Sequence, residues 1–283
     1  MSTKPAQDGK RIFITGAGSG LGKALALRFA REGWRVAATD LKLETVEQTL
    51  KEVQAAGGSG FAMVCDVTSE ESFAAVAARL NSEWGGLDVV VNNAGVATAG
   101  TVLDSPIKQW QWVLDINLLG CVRGSRAVIP IMTAQGSGHI VNIASFAGIA
   151  NPPAMASYNA AKAAVISLSE SLRFEVEPQG VNVSVVCPSF FKTNLLATSR
   201  SGGGVESAAN TAPQMEKIVQ KLMEKSTITA DGVAEAIFNA VRDQRFLVLA
   251  HADDRKRALI KRLSPELYFR MALKATAKFM QKK

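Results

Sequence analysis

The sequence predicts an α/β protein: a doubly wound, seven-stranded parallel sheet with helices on both faces, followed by a basic helical C-terminal extension. Two observations carry that expectation. Short apolar runs of β type recur along the chain and alternate with longer segments of helical periodicity. The first of those runs passes directly into Gly16-Ala-Gly-Ser-Gly-Leu-Gly22, and a helical pattern begins there. Strand, glycine-rich turn and helix in that order form a phosphate-binding unit, because backbone N–H groups at a helix N-terminus face an anion. The chain has 283 residues, 47% of them hydrophobic, and no linker-like composition break in the first 200. It reads as one large domain over 1–250 and an extension over 251–283.

Arg11–Thr15 is the first strand. Leu21, Ala24, Leu25, Leu27 and Phe29 then lie along one side of the first helix. The turn is spaced T-G-x-x-x-G-x-G, with Thr15, Gly16, Gly20 and Gly22 as the fixed positions and Ser19 and Leu21 among them; G-x-G-x-x-G does not fit. The second strand, Arg35–Thr39, ends at Asp40. A carboxylate there hydrogen-bonds both ribose hydroxyls of an adenosine and repels a 2′-phosphate. Lys42 is the only nearby cation, so the expected cofactor is NAD rather than NADP. Phe61–Cys65, the third strand, leads into Asp66 and Val67, and a helix starts at the capping candidate Ser69 with Glu70 and Glu71 in its first turn. Asp88–Asn92 is the fourth strand and runs into Asn93-Ala94-Gly95. A long helical segment from about Pro106 to Thr133 carries Asn117. The fifth strand, Ile140–Ala144, ends at Ser145, and the next helix runs to about Glu177 and stops at Pro178-Gln179-Gly180. Val181–Val186 is the sixth strand, followed by Cys187 and Pro188. A looser segment containing Ser201-Gly-Gly-Gly204 follows, then a helix ending near Arg242 and a seventh strand, Phe246–Ala250.

Tyr158 and Lys162 stand four apart on one helix and therefore share a face. A neighbouring ammonium favours phenolate, so Lys162 is expected to pull the tyrosine pKa down from about 10. A phenol tuned that way exchanges protons as a general acid and base. Ser145, at the end of its strand, supplies a hydroxyl for the same substrate oxygen.

Taken together, the Thr15–Gly22 turn, Asp66, Asn92-Asn93-Ala94-Gly95, Ser145 and Tyr158-x-x-x-Lys162 resemble the motifs of the compact, single-domain short-chain dehydrogenase/reductase family, in the family's order and over residues 10 to 250 or so. The resemblance implies a Rossmann-like fold and hydride transfer between nicotinamide and a hydroxyl or carbonyl carbon, with Tyr158 as acid and base. It implies that Lys162 holds the nicotinamide ribose, that Ser145 binds the substrate oxygen, and that Asn117 places a water in a proton relay. Asp66 and Val67 become adenine contacts, and Asn93, Ala94 and Gly95 a segment beneath the cofactor. Pro188, the Phe191 backbone and Thr193 become contacts over the nicotinamide. Ser189 departs from the family's usual glycine. Serine tolerates positive φ poorly, so a loop of different shape is expected. Substrate-lining candidates are Phe146, Ile149, Met155, Phe190, Leu195, Leu196 and Met215, and the stretch over 189–229 is the expected substrate loop. This apolar lining suits a small apolar secondary alcohol or ketone, with a 3-hydroxyacyl thioester as the alternative. Lys192 or Arg200 are the candidates for pairing with a substrate carboxylate.

Charge and composition narrow the function classes. Ten Lys/Arg against three Asp/Glu in residues 251–283 account for the whole net charge of +7, so the main domain is neutral. A neutral domain speaks against nucleic-acid binding, and the joint presence of Asn117, Ser145, Tyr158 and Lys162 favours an enzyme over a dinucleotide-sensing regulator. Tyr158 serves both catalysis and cofactor contact in this reading, as does Lys162. Cys65, Cys121 and Cys187 form no disulfide framework. With a polar start and no run of the 18 or so apolar residues that span a bilayer, a soluble, cytoplasmic protein is expected, with no metal. Pro265 divides the extension into two helical stretches. In the second, Tyr268, Ala272, Ala275 and Phe279 share a face beside Arg270, Lys274, Lys278 and Lys282. Packing of that stripe is expected, with membrane-surface contact the other use of a basic amphipathic helix. The resemblance also implies a homodimer, or a homotetramer, formed through the helices of Asn117 and Tyr158, with Trp110, Trp112, Val113 and Leu114 contributing.

Overall fold

The computed structural model of the chain describes residues 9–191 and 212–280. Seven parallel strands form one sheet: β1 (Arg11–Thr15), β2 (Arg35–Asp40), β3 (Ser59–Val64), β4 (Val89–Asn92), β5 (Gly138–Ile143), β6 (Val181–Val186) and β7 (Leu247–Val248). Their order across the sheet is β3-β2-β1-β4-β5-β6-β7. The order reverses between β1 and β4, and ligands of open α/β sheets bind outside the carboxyl ends of the strands at such a switch point. β7 is shorter than expected: it pairs with β6 only through Leu247 and Val248. The N–H groups of Val185 and Cys187 donate to the Phe246 and Val248 carbonyls at 2.7 and 2.9 Å, and the ladder ends there.

Successive strand residues point to opposite faces, and β1 shows what that does. Ile12 and Ile14 join a core with Leu25, Phe29 and Val36 beneath α1 (Gly20–Ala30), α2 (Leu43–Ala55) and a later helix over Ala230–Arg242. Phe13 joins Phe73, Leu80, Trp84, Met132 and Leu172 on the other face, covered by α3 (Glu70–Trp84), α5 (Gly120–Gln135) and α7 (Ala156–Val176). Burying each such side chain stabilises the fold by about 1.5–3 kcal/mol. Ser69 caps α3 as expected: its hydroxyl accepts from the Ser72 N–H at 3.1 Å. Helix α2 escaped the sequence reading, although Val46, Thr49 and Val53 form its buried face at helical spacing.

The long segment carrying Asn117 is not a uniform helix. It runs as α4 (Ile107–Leu114), one π turn (Asp115–Leu119) and α5. Within it Val113 is fully buried, so that residue belongs to the core and not to a contact between subunits. A four-residue helix, α6 (Ala147–Ala150), follows β5. Helices α8 (Ala212–Lys225) and α9 (Ala230–Arg242) precede β7, and Thr229 caps α9 by accepting from the Gly232 N–H at 3.2 Å.

The extension folds as α10 (Ala252–Leu263) and α11 (Pro265–Met280), divided at Pro265 as expected. It docks on α6. The Lys261 ammonium donates to the Ile149 carbonyl and the Tyr268 hydroxyl to the Ala150 carbonyl. Those carbonyls close a helix and have no partner within it. The packed face is narrower than expected: Tyr268 and Ala272 are half-buried, whereas Ala275 is exposed. The Phe279 side chain lies outside the described residues. Leu263, Leu267, Phe269 and Met271 of the hairpin are exposed. Among the described residues no helix is long and apolar enough to cross a membrane.

His139 on β5 gives the fold a measurable pH signature. It is 4% exposed. Its Nε2 lies 2.7 Å from the Ser184 hydroxyl, which spends its own proton on the Arg245 carbonyl at 2.6 Å. The imidazole therefore donates, and burial pushes its pKa down to about 4. The unfolded chain titrates near 6.5. Native protein thus refuses a proton that unfolded protein takes, so this contribution is complete above 6.5 and falls as pH drops toward 4. Urea titrations at pH 7 and pH 5 should show wild type losing about 2 kcal/mol more stability than His139→Asn. Equal losses in the two proteins would refute a neutral buried imidazole.

Candidate active site

The glycine turn sits at the carboxyl end of β1 and is shaped by positions that need glycine. Gly16 and Gly20 have φ of +66° and +54°, in the left-handed region that a β-carbon disfavours. A β-carbon on Gly22 would collide with the Gly16 carbonyl oxygen, which lets α1 start directly on the end of β1. Ser19 makes no side-chain cap on α1, so the first N–H groups of that helix remain for an anion. Asn93 fastens the turn from the neighbouring strand: its amide donates to the Thr15 and Gly16 carbonyls at 2.8 and 3.2 Å. The Thr15 hydroxyl accepts from the N–H groups of Asn93 and Ala94, both at 3.0 Å.

At the other end of the turn Asp40 closes β2. One of its oxygens accepts from the Gly18 N–H at 3.1 Å and the other from the Leu41 N–H at 2.8 Å. Both bonds fix the carboxylate beside the turn. Val67 lines the cleft, as expected, together with Cys65. Asp66 serves the turn that presents Val67, accepting from the Thr68 N–H and hydroxyl at 2.8 and 2.7 Å.

Helix α7 brings Tyr158 and Lys162 to the same cleft, where the end of β5 brings Ser145. Lys162 is 4% exposed, and its ammonium donates to the Ile143 carbonyl at 2.8 Å and lies 5.9 Å from the centre of the Tyr158 ring. Tyr158 is 6% exposed. Its pKa is raised, not lowered as expected: burial penalises the phenolate, and the Ser145 hydroxyl offsets this in part by hydrogen bonding. Burial also pushes the Lys162 ammonium down. Helical spacing brings the two groups together, and their enclosure sets the direction of both shifts. Ser145 is itself oriented, accepting from the Ala147 N–H at 3.1 Å.

Asn117 is fully buried in the π turn. Its side-chain oxygen accepts from the Val96 N–H and its amide donates to the Val96 carbonyl, both at 2.8 Å. Both ends of the amide are thus committed to holding the strand after β4. A β-carbon on Gly95 would stand 3.0 Å from the Asn117 amide oxygen and 3.5 Å from the Lys162 ammonium, so Gly95 leaves room for Asn117 and Lys162 to approach one backbone segment.

The cleft encloses about 750 Å³. Gly16, Ser19, Gly20, Leu21, Asp40, Asn93, Ala94 and Gly95 line the nucleotide end; Pro188 and Phe191 line it further along. Gly22 and Asp66 are absent from the wall and act from behind it. Phe146, Met155 and Phe190 line the substrate end, joined by Trp112, Val219 and Met223. Ile149 does not: its side chain packs against Cys121, Ala144 and Val165 instead. Thr193, Leu195, Lys192, Leu196 and Arg200 lie outside the described residues, as does the Met215 side chain. Ser189 has no positive φ, so the loop takes a path serine tolerates. Its hydroxyl meets Asp254 of α10. Two lining residues that sequence reasoning missed, Arg257 and Tyr268, also come from the extension. The charge of that segment marked it as unusual, but no local pattern distinguishes the arginine that borders the cleft from its neighbours.

Comparison with known proteins agrees with this geometry. Residues 10–203 match the family model described as short chain dehydrogenase. The chain is similar to probable oxidoreductase EphD of Mycobacterium tuberculosis, 37% identical over 238 residues that cover 83% of this chain and 40% of that protein. It thus spans about two fifths of the length of that relative. The CLA biosynthesis dehydrogenase/reductase of Lactiplantibacillus plantarum is 28% identical over 274 residues, covering 92% of this chain and 96% of that one. A short chain dehydrogenase/reductase from Burkholderia phymatum, solved in complex with NAD, superposes with a TM-score of 0.84 at 32% identity, covering 92% of this chain and 95% of that one. With its fold, its glycine turn and the convergence of Ser145, Tyr158 and Lys162, this chain belongs to the short-chain dehydrogenase/reductase family of oxidoreductases.

Proposed function

We propose that the protein is an NAD-dependent oxidoreductase that interconverts an apolar secondary alcohol and its ketone. The observation that carries this reading is the meeting of the Ser145 hydroxyl, the buried Tyr158 phenol and the buried Lys162 ammonium on one wall of an otherwise apolar cleft. The residues present fit a nicotinamide dinucleotide: α1 opens on uncapped N–H groups, Gly16 and Gly20 carry the turn through positive φ along the cleft wall, and Asp40 stands at the end of β2. A nicotinamide bound there supplies or accepts the hydride. Gly16, Ser19, Gly20 and Leu21 would hold its pyrophosphate, Asp40 the adenosine ribose, and Pro188 and Phe191 the nicotinamide end. The NAD in the Burkholderia phymatum relative supports that choice, as does the exposed, uncharged Leu41 beside Asp40.

In this reading Ser145 donates to the substrate oxygen and fixes the reacting carbon beside Tyr158. The phenol, its pKa raised by burial, is protonated at neutral pH and delivers its proton from Oη to a ketone oxygen. In the oxidative direction it must first be deprotonated, and Lys162 is the nearest cation to the forming phenolate. Asn117 is a positioning residue that acts through Val96. The apolar wall of Trp112, Phe146, Met155 and Phe190 excludes water and binds substrate by burial. For assembly the reading is a homodimer formed through α5 and α7, supported by Phe174, which is 84% exposed on α7. The domain is assigned to 1–250 and the cell location to the cytoplasm.

Two experiments test this. Tyr158→Phe keeps the ring and removes the exchangeable proton, so turnover measured by NADH absorbance across a panel of secondary alcohols should fall by about 10²-fold or more, with NAD binding by calorimetry retained. Because the phenol must ionise for oxidation, wild-type alcohol oxidation should rise with pH while ketone reduction falls. A variant that keeps wild-type turnover would sink the assignment.

Cofactor choice has its own test. Asp40→Ala combined with Leu41→Arg removes a carboxylate and adds a cation where a 2′-phosphate would lie. The kcat/KM ratio should move toward NADP by about tenfold or more, with each tenfold equal to about 1.4 kcal/mol. Wild type preferring NADP would show that Asp40 has been misread.

A further inference from the structure

Arg257 breaks the apolar character of the substrate end of the cleft. Among the described residues the cations on the cleft wall are Lys42, Lys162 and Arg257. Lys42 stands at the nucleotide end beside Asp40, and Lys162 is engaged by the Ile143 carbonyl at 2.8 Å. Arg257 is the cation of the substrate end, where its charge also acts on the Asp254 carboxylate and the Tyr268 hydroxyl. It is exposed on α10 and has no ion-pair partner among the described residues. Its nearest acid, Asp254, lies one turn earlier and is turned inward: 2% exposed, it has one oxygen 3.5 Å from His251 Nδ1 and meets the Ser189 hydroxyl. The helix carrying Arg257 is also held at the cleft. Asp254 anchors it beneath the Pro188–Phe191 segment, and Lys261 and Tyr268 fasten the hairpin to the Ile149 and Ala150 carbonyls of α6. Tyr268 lines the same stretch of wall, so a rigid aromatic surface adjoins the cation.

We propose that Arg257 selects substrates that carry an anionic group at the end remote from the reacting carbon: an apolar chain or ring system ending in a carboxylate, or in the phosphate of a thioester carrier. This rests on the oxidoreductase reading above and deepens it. The apolar wall holds the body of the substrate, Ser145 and Tyr158 its oxygen, and the guanidinium pairs with the anion at the mouth, where planar oxyanions suit its fork of donors. The extension thereby becomes part of substrate recognition.

The test compares a medium-chain secondary hydroxy acid, its methyl ester and the corresponding hydroxyacyl-CoA thioester, using the full chain with NAD. The KM of wild type for one anionic form should lie below that for the ester by about fivefold or more, the worth of one partly solvated ion pair. Arg257→Met should bring that ratio close to one and Arg257→Lys should restore part of it; the arm that responds, acid or thioester, identifies the source of the anion. An acid-to-ester and thioester-to-ester ratio unchanged in Arg257→Met overturns the proposal, and so does a variant that merely loses thermal stability. Calorimetric binding of the non-reacting parent acid and its methyl ester in the presence of NAD needs no turnover. Loss of the acid's advantage in Arg257→Met there supports the role of Arg257 even if no alcohol is oxidised, an outcome that would instead defeat the oxidoreductase reading. Equal binding of all anionic and neutral ligands by wild type overturns it.

Discussion

The clamp between Thr15 and Asn93 is the constraint on which the site depends. Where the strand order reverses, β1 and β4 diverge beyond their last ladder bonds, and their carboxyl ends would otherwise leave backbone groups without partners. The Thr15 hydroxyl accepts two N–H groups from β4's exit while the Asn93 amide donates back to two carbonyls of β1's exit. Buried backbone polar groups must be satisfied, and this exchange does so while holding the glycine turn at a fixed height above the sheet. The turn in turn places the N-terminus of α1, and Asp40 reaches back to Gly18 from β2. Three strands therefore fix the glycine turn through side-chain bonds to backbone, which loops alone would position poorly.

A second buried polar network does the same for the reacting end. Asn92 donates to the Asn142 amide oxygen at 2.8 Å, and Asn142 donates to the Ser169 hydroxyl at 3.0 Å. β4, β5 and α7 are thus joined just below the level of Ser145 and Tyr158. Lys162 adds a bond from α7 to the Ile143 carbonyl. The Asn92 side-chain oxygen accepts no hydrogen bond among the described residues, so the network is only partly satisfied, but its bonds hold the register of α7 against the sheet. The direction in which the Tyr158 phenol and the Lys162 ammonium are shifted follows from the same enclosure: each charged form loses water, so each pKa moves toward the neutral form.

The fold was legible because it is written in local terms. Apolar runs, the Ser69 cap and the stop at Gly180 each report on a few neighbouring residues, and the structure reproduces them. Six of the strands lie within a few residues of their expected bounds, and β7 is shorter because only Leu247 and Val248 of its apolar run pair with β6. The site was legible where its chemistry sits on one element, as with Tyr158 and Lys162 on α7. It was not legible where it depends on enclosure or on chain return. The raised Tyr158 pKa needs knowledge of what covers the ring. The two hydrogen bonds between the Asn117 side chain and the Val96 backbone need the π turn, which no periodicity signals. Arg257 reaches the cleft only because Lys261 and Tyr268 find the free carbonyls of a four-residue helix that the sequence pattern does not reveal.

That helix, α6, links the two halves of the molecule's chemistry. Its first residue donates its N–H to Ser145, orienting the hydroxyl, and its last carbonyls receive Lys261 and Tyr268 from the extension. A helix this short has little internal hydrogen bonding to hold it, so its position is set by what grips its ends. One grip is the end of β5, the other is the basic hairpin. A β-carbon on Gly148 would collide with the backbone of α7 at Lys162, so α6 also lies directly on the helix of Tyr158 and Lys162. The extension therefore bears on the orientation of Ser145 through a path of four residues, without touching the nucleotide turn, and the substrate end of the cleft is shaped by residues from opposite ends of the fold.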